Sequence, residues 1–319
     1  MTDASTPTSA ATTERPLPGL PPGRPGLGAV HLAVTDRERA LAFWQGVLGL
    51  ELLDPDAYEL RMGAGGRELV VLHPGAGGIV ARRRTGLYHL AIHVRTDEEF
   101  ARIMARLFTI RWPNAPTDHT FTKTTYLDDP DGNGIEIALE TPERVGRLDY
   151  SDHDYAVIDA DGVRRSGRDP LDMEEVFAHL PEERRLEQPM PAGTTIGHVH
   201  LHVNDLEEGL AFYAEGLGLD RHMVARGIGM ADVTVDGWTP HLIAFNVWNG
   251  RDAPRPPADT AGLRWFTFGF ATAEDREAAI RRLERQGRTV RRDAATGEIR
   301  VQDPSGNELL LTVRDGRDA

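Results

Sequence analysis

Three side chains able to bind a metal stand at matching places in a repeated pattern: His89, Glu136 and His198. The pattern is a strand, a helix, then strands closing on a Gly-rich turn, and it occurs four times. Its openings read AVHLAVTD (29–36), YHLAIHVRTD (88–97), HVHLHVND (198–205) and WFTFGFATAED (265–275). Aligned on Val34, Val94, Val203 and Phe270, the residue five places earlier is Ala29, His89, His198 and Trp265. Only copies two and three therefore offer a ligand there. The third residue after the Asn of the closing turn is Glu136 in copy two and Leu310 in copy four. The matching strand of copy three starts at His241, and copy one offers only Glu68. A carboxylate within the apolar run IEIAL costs free energy unless it is paired or bound to a metal. Two imidazoles and one carboxylate on strands make a facial triad. Such a set suits Fe(II) or Mn(II) and leaves positions open for a substrate and dioxygen.

The neighbours carry two readings each. His200 and His202 share a strand face with His198, and either line the same pocket or point to solvent. His93 stands in the same relation to His89. His241 is a fourth ligand or a base, and His200 is the second candidate for moving protons. His31 falls in the register of His200, which argues against a ligand role. Glu68 reads first as a strand-end charge, Trp265 as core or a lid, and Asp118-His119 as a turn or as support for the site. Tyr88, Phe245 and Trp248 either flank a flat substrate or belong to the core.

The elements that must position these groups follow from periodicity. Asp36 stands at a helix N-cap, and RERALAFWQGVLGL places Leu41, Trp44, Val47 and Leu48 at helical spacing before Gly49. DEEFARIMARLF puts Phe100, Ile103, Met104 and Leu107 on one face, and AEDREAAIRRLERQG repeats this in copy four. TKTTYLDDPDGNGIEIALE and IRVQDPSGNELLLTV read as hairpins. Odd copies resemble each other, as do even ones. The fold class is α+β: four βαβββ modules in tandem. The boundaries are a disordered tail (1–25), an N-terminal pair of modules (26–140), a polar connector with one short helix, DMEEVFAHL (141–192), and a C-terminal pair (193–316). Because the ligands fall in copies two and three, these two are expected to face one another. Copies one and four are expected to form a second unit without metal.

Composition narrows the function classes. The 319 residues allow about two domains, and 40% apolar content suffices for packed cores. A net charge of −14 argues against a nucleic-acid partner. The absence of cysteine leaves His and carboxylates as the strong ligands. No run of about 18 apolar residues predicts a membrane span. The N-terminus lacks the order of a secretory signal, so a cytoplasmic location is expected. Exposed sheet edges on such modules favour pairing with a second copy of the chain.

Several stretches together resemble the vicinal-oxygen-chelate superfamily, and more closely its two-domain catechol 2,3-dioxygenases: GLYHLAI, YLDDPDGNGIEI, IGHVHLHVNDLE, FNVWNGRDAPRP and GLRWFTF. The resemblance covers roughly residues 26–315. It implies half-open barrels built from paired modules, and Fe(II)-dependent extradiol cleavage of a small aromatic substrate by O2. By that resemblance His198 and His89 match first-strand ligands, and Glu136 matches the closing carboxylate. His241 stands where relatives are richer in histidine, while this chain has Thr239, Pro240 and Leu242. Two other readings sit on the same scaffold. One is a glyoxalase-like isomerase or lyase using Mn(II), Zn(II) or Ni(II). The other is a metal-free binding or resistance protein.

Overall fold

The computed structural model describes residues 23–150, 155–235 and 241–314. The expected disordered tail lies mostly outside the described residues, as do Thr239 and Pro240. Module one comprises β1 (Gly26–Val34), α1 (Arg37–Leu41), β2 (Glu51–Leu52), β3 (Leu60–Ala64) and β4 (Arg67–Pro74). Module two has β5 (Gly86–Val94), α2 (Asp97–Ile110), β6 (Ala115–Asp118), β7 (Thr122–Asp128) and β8 (Gly134–Glu140). The connector holds β9 (Val145–Tyr150), β10 (Tyr155–Asp159), β11 (Arg164–Arg165), β12 (Asp169–Pro170) and α3 (Met173–Ala178). Module three has β13 (Thr195–His202), α4 (Leu206–Leu210), β14 (Asp220–Ala225), β15 (Met230–Thr234) and β16 (Ile243–Asn246). Module four has β17 (Gly262–Phe270), α5 (Ala273–Arg285), β18 (Val290–Arg292), β19 (Ile299–Gln302) and β20 (Glu308–Val313).

Each first strand ends in a side chain that caps the following helix. Asp36 accepts from the Arg39 amide, Asp205 from Glu207 and Glu208, and Thr272 from Asp275. Thr96 and Glu99 form a reciprocal capping box at α2. The run after α1 departs from the helix read in the sequence. Residues Ala42–Val47 form wider π-type turns, and Ala211–Gly216 do the same after α4. The widening turns Phe43 and Trp44, and likewise Phe212 and Tyr213, fully into the core. Gly49 and Gly218 then reverse the chain at positive φ, 85° and 90°.

The sheets do not follow the halves of the chain. Modules one and four share an eight-stranded sheet, ordered β18-β19-β20-β17-β1-β4-β3-β2. Modules two and three, with β12 added, share a nine-stranded sheet, β12-β6-β7-β8-β5-β13-β16-β15-β14. Both are open, since neither has its end strands paired to each other. At the centre of the larger sheet β5 runs antiparallel to β13, with Leu90 opposite Val199 and His89 opposite His200. Helices tie modules the other way, within each half. Arg106 of α2 donates to the Leu48 carbonyl at 3.1 Å, and Arg282 of α5 donates to the Leu217 carbonyl at 2.9 Å. Each arginine thus satisfies a carbonyl left open where the neighbouring helix ends.

The connector is more structured than its polar composition suggested. It forms a three-stranded sheet, β11-β10-β9, with the expected short helix after it. Arg102 holds its far end by donating to the Gln188 and Pro189 carbonyls at 2.8 and 3.1 Å.

Candidate functional site

The site grows from the register of the central strands. In module two, Ala91 of β5 lies beside Glu136 of β8, two residues beyond His89. Alternation then puts His89 and Glu136 on one face. Antiparallel pairing across β5 and β13 brings His198 to the same face from the other module. The Nε2 atoms of His89 and His198 are 3.1 Å apart, and Glu136 Oε2 lies 3.0 Å from the first and 3.1 Å from the second. All three side chains are buried. The other carboxylate oxygen, Oε1, accepts from Thr124 Oγ1 at 2.7 Å, which fixes the plane of the group.

Two arrangements fit this triangle: both imidazoles donate Nε2–H to Glu136 Oε2, or a divalent cation stands in place of those protons. With both protons on Nδ1 and no ion, three lone pairs converge in a buried site. Neither Nδ1 has a hydrogen-bond partner among the described residues. Three mutually cis ligands at about 2.1 Å from an ion stand about 3 Å apart, as these donors do. The protonation states agree. Burial pushes Glu136 up, yet the His198 and His89 imidazoles beside it hold it well below the usual carboxylate range. Burial above all holds His198 well below the usual imidazole value. An ionised carboxylate facing a neutral His198 is what metal binding requires.

The ligand set opens into a cavity of about 320 Å³. Residues of both ends of the nine-stranded sheet line it, from Thr117 on β6 to His222 on β14, so the sheet curves around it. His241 lies in this wall, its ring 4.4 Å from that of His198. Its Nδ1 faces Asp232 Oδ2 at 3.2 Å, and its Nε2 has no partner among the described residues. Asp232 is buried; His222 and His241 outweigh that burial and keep it ionised. The carboxylate therefore holds the His241 proton on Nδ1 and leaves Nε2 as an acceptor. On the opposite wall the Tyr126 hydroxyl lies 2.8 Å from His119 Nε2. His119 Nδ1 meets the Gly167 carbonyl, so Nε2 is the acceptor for the phenol proton. Burial, then Glu136, keeps Tyr126 protonated.

The remaining sequence candidates divide. His200 faces the cavity, with its Nε2 tied to Asn246 Nδ2 at 2.8 Å, and His202 is tied to Asn246 Oδ1 at 2.8 Å. His93 is buried, 3.4 Å from Glu140. His119 is a cavity residue, whereas Asp118 is engaged by Arg144 at 2.6 Å. Tyr88 and Trp248 line the rim, but Phe245 is core, stacked on Tyr213. The register also corrects two equivalences. Ala91 pairs with Glu136, and its counterpart His200 pairs with Ala244. Ala244, not His241, therefore stands in the place of Glu136, and His241 reaches the cavity from the chain just before β16. In module one that place belongs to Val71, opposite His31, while Glu68 pairs with Arg61 at 2.7 Å. The second half is filled by rings. Trp265 stacks on His31 with centroids 4.2 Å apart, under the Arg300 guanidinium at 4.0 Å.

Sequence reasoning missed Tyr126, Asp232 and the connector side chains Leu148, Tyr155 and Arg168, all in the cavity wall. An acidic residue in the strand MADVT was the available signal for Asp232.

A cupped sheet from two modules, with a buried cluster of two histidines and one carboxylate that could hold a metal, defines a βαβββ protein. The profile of the Glyoxalase/Bleomycin resistance protein/Dioxygenase superfamily matches residues 26–137 and 195–311, and the chain belongs to that family. It is 30% identical over 291 residues to a catechol-2,3-dioxygenase of Bacillus subtilis (strain 168), covering 90% of this chain and 96% of that one. Among solved structures, a Bacillus subtilis protein superposes with a TM-score of 0.57 at 14% identity, over 90% of this chain and 84% of that one. A glyoxalase I variant from Zea mays gives 0.51 at 16% identity, over 92% and 93%. These two support the fold alone.

Proposed function

We propose that the protein is a non-haem Fe(II) extradiol dioxygenase that opens a catechol-like ring with O2. The carrying observation is the triangle of His89, His198 and Glu136 at the base of a cavity sized for one small aromatic molecule. These three residues would hold the metal, which supplies a binding place for adjacent substrate oxygens and for dioxygen. The relative's name supports this reading over the isomerase reading. So does Ala244, since the symmetry-related place offers no second carboxylate and leaves more of the ion open.

The chain's own residues provide the rest. His241 Nε2, held as an acceptor by Asp232, is placed to take a proton from a substrate hydroxyl. Tyr126, whose proton goes to His119, presents a phenol oxygen on the facing wall that can accept from a substrate hydroxyl. Leu148, Phe121, Met223 and Met230 give the ring an apolar bed and exclude water.

The test is oxygen uptake by anaerobically prepared, Fe(II)-loaded protein on addition of catechol. The expected result is stoichiometric uptake with a ring-opened product. A full iron site that consumes no oxygen with any catechol would overturn the reading.

A further inference from the structure

The cavity contains one permanent cation, Arg168, that no carboxylate among the described residues neutralises. Arg168 lines it, and among the described residues its guanidinium has no ion-pair or hydrogen-bond partner. It stands 5.6 Å from the centre of the Trp248 ring instead. Two of the carboxylates in the wall are occupied, Glu136 by His89 and His198 and Asp232 by His222 and His241, while Glu140 lies 3.4 Å from His93. A free guanidinium in such a wall is available to an incoming anion.

Its position is held by the connector, outside the four repeated modules. The Gly167 carbonyl contacts His119, and Gly167 sits at φ 70° against Tyr155, whose ring would lie 2.8 Å from any added Cβ. The Arg168 amide donates to Ser166 Oγ at 3.0 Å, and the next two residues pair with β6, Asp169 opposite Asp118. The arginine is thus anchored from both sides while its side chain stays exposed at the mouth. The buried triad and the exposed Arg168 line the same cavity.

Resting on the dioxygenase reading, we infer that the substrate is a catechol carrying a carboxylate substituent, and that Arg168 binds that carboxylate. The diol end would reach the base of the cavity, and the acid would remain at the entrance beside Arg168 and Trp248.

The experiment compares 3,4-dihydroxyphenyl acids bearing no, one or two methylenes with their methyl esters. Binding is read by quenching of tryptophan fluorescence under nitrogen, and kcat/KM by oxygen uptake. At least one acid is expected to surpass its ester by about tenfold, the size of a single charge-assisted contact. Arg168→Gln should bring that ratio close to one, and Arg168→Lys should keep part of it. The proposal fails if no acid is preferred over its ester, or if the preference survives in Arg168→Gln. Acid-selective quenching without any oxygen uptake would uphold the anion subsite while removing the dioxygenase reading.

Discussion

At the scale of single residues, the account turns on protons as much as on ligands. His89, His198 and Glu136 converge to 3.0–3.1 Å, the spacing of three mutually cis ligands around one ion. His241 differs, since its Nδ1 is spoken for by Asp232 and its Nε2 is left open. His241→Asn is expected to retain the metal and to lower kcat by about 100-fold or more, the usual worth of a positioned base. Metal analysis beside steady-state kinetics checks this, and loss of the ion would make His241 a ligand instead. Much of this was legible from spacing, because repeat-equivalent positions mark His89 and His198, and the turn marks Glu136. The roles of Tyr126 and Asp232 were not legible. A tyrosine and an aspartate on ordinary strands look like any others until the sheet curves and brings its edges together.

At the scale of elements, strand register decides what each module offers. Ala244 occupies on β16 the place that Glu136 occupies on β8, between His200 and Asp232 on the neighbouring strands. Ala244→Glu should set a second carboxylate on the cavity face. The expected outcome is a retained or tightened ion with oxygen uptake reduced at least about tenfold, since a fourth ligand closes a position needed for reaction. Unchanged turnover would show that this face does not look onto the ion. The helices show the limit of pattern reading. AFWQGV and AFYAEG follow helical spacing, yet their backbones open into π-type turns that bury both aromatic residues of each pair. The connector shows the same limit from the other side. Its charge and prolines read as an irregular link, but β12 joins the edge of the large sheet and aims Arg168 at the mouth.

At the scale of the whole molecule, the strand pairing across the halves of the chain matters most. Each sheet takes one module from each half, while the Arg106 and Arg282 contacts bind modules within a half. The result is two cups from four modules. The distribution of ligands pointed to this arrangement, since Ala29 and Trp265 cannot coordinate and His89 and His198 can. One cup is furnished with the triad; in the other, Trp265 stacks on His31 under Arg300.

The most direct test of this account is a metal titration of chelator-stripped, full-length protein with Fe(II) under nitrogen, run beside Glu136→Ala. The expected result is one ion per chain in the wild type and none held by the variant, with both proteins giving the same circular dichroism spectrum. Two ions per chain, none at all, or equal binding by Glu136→Ala would contradict it.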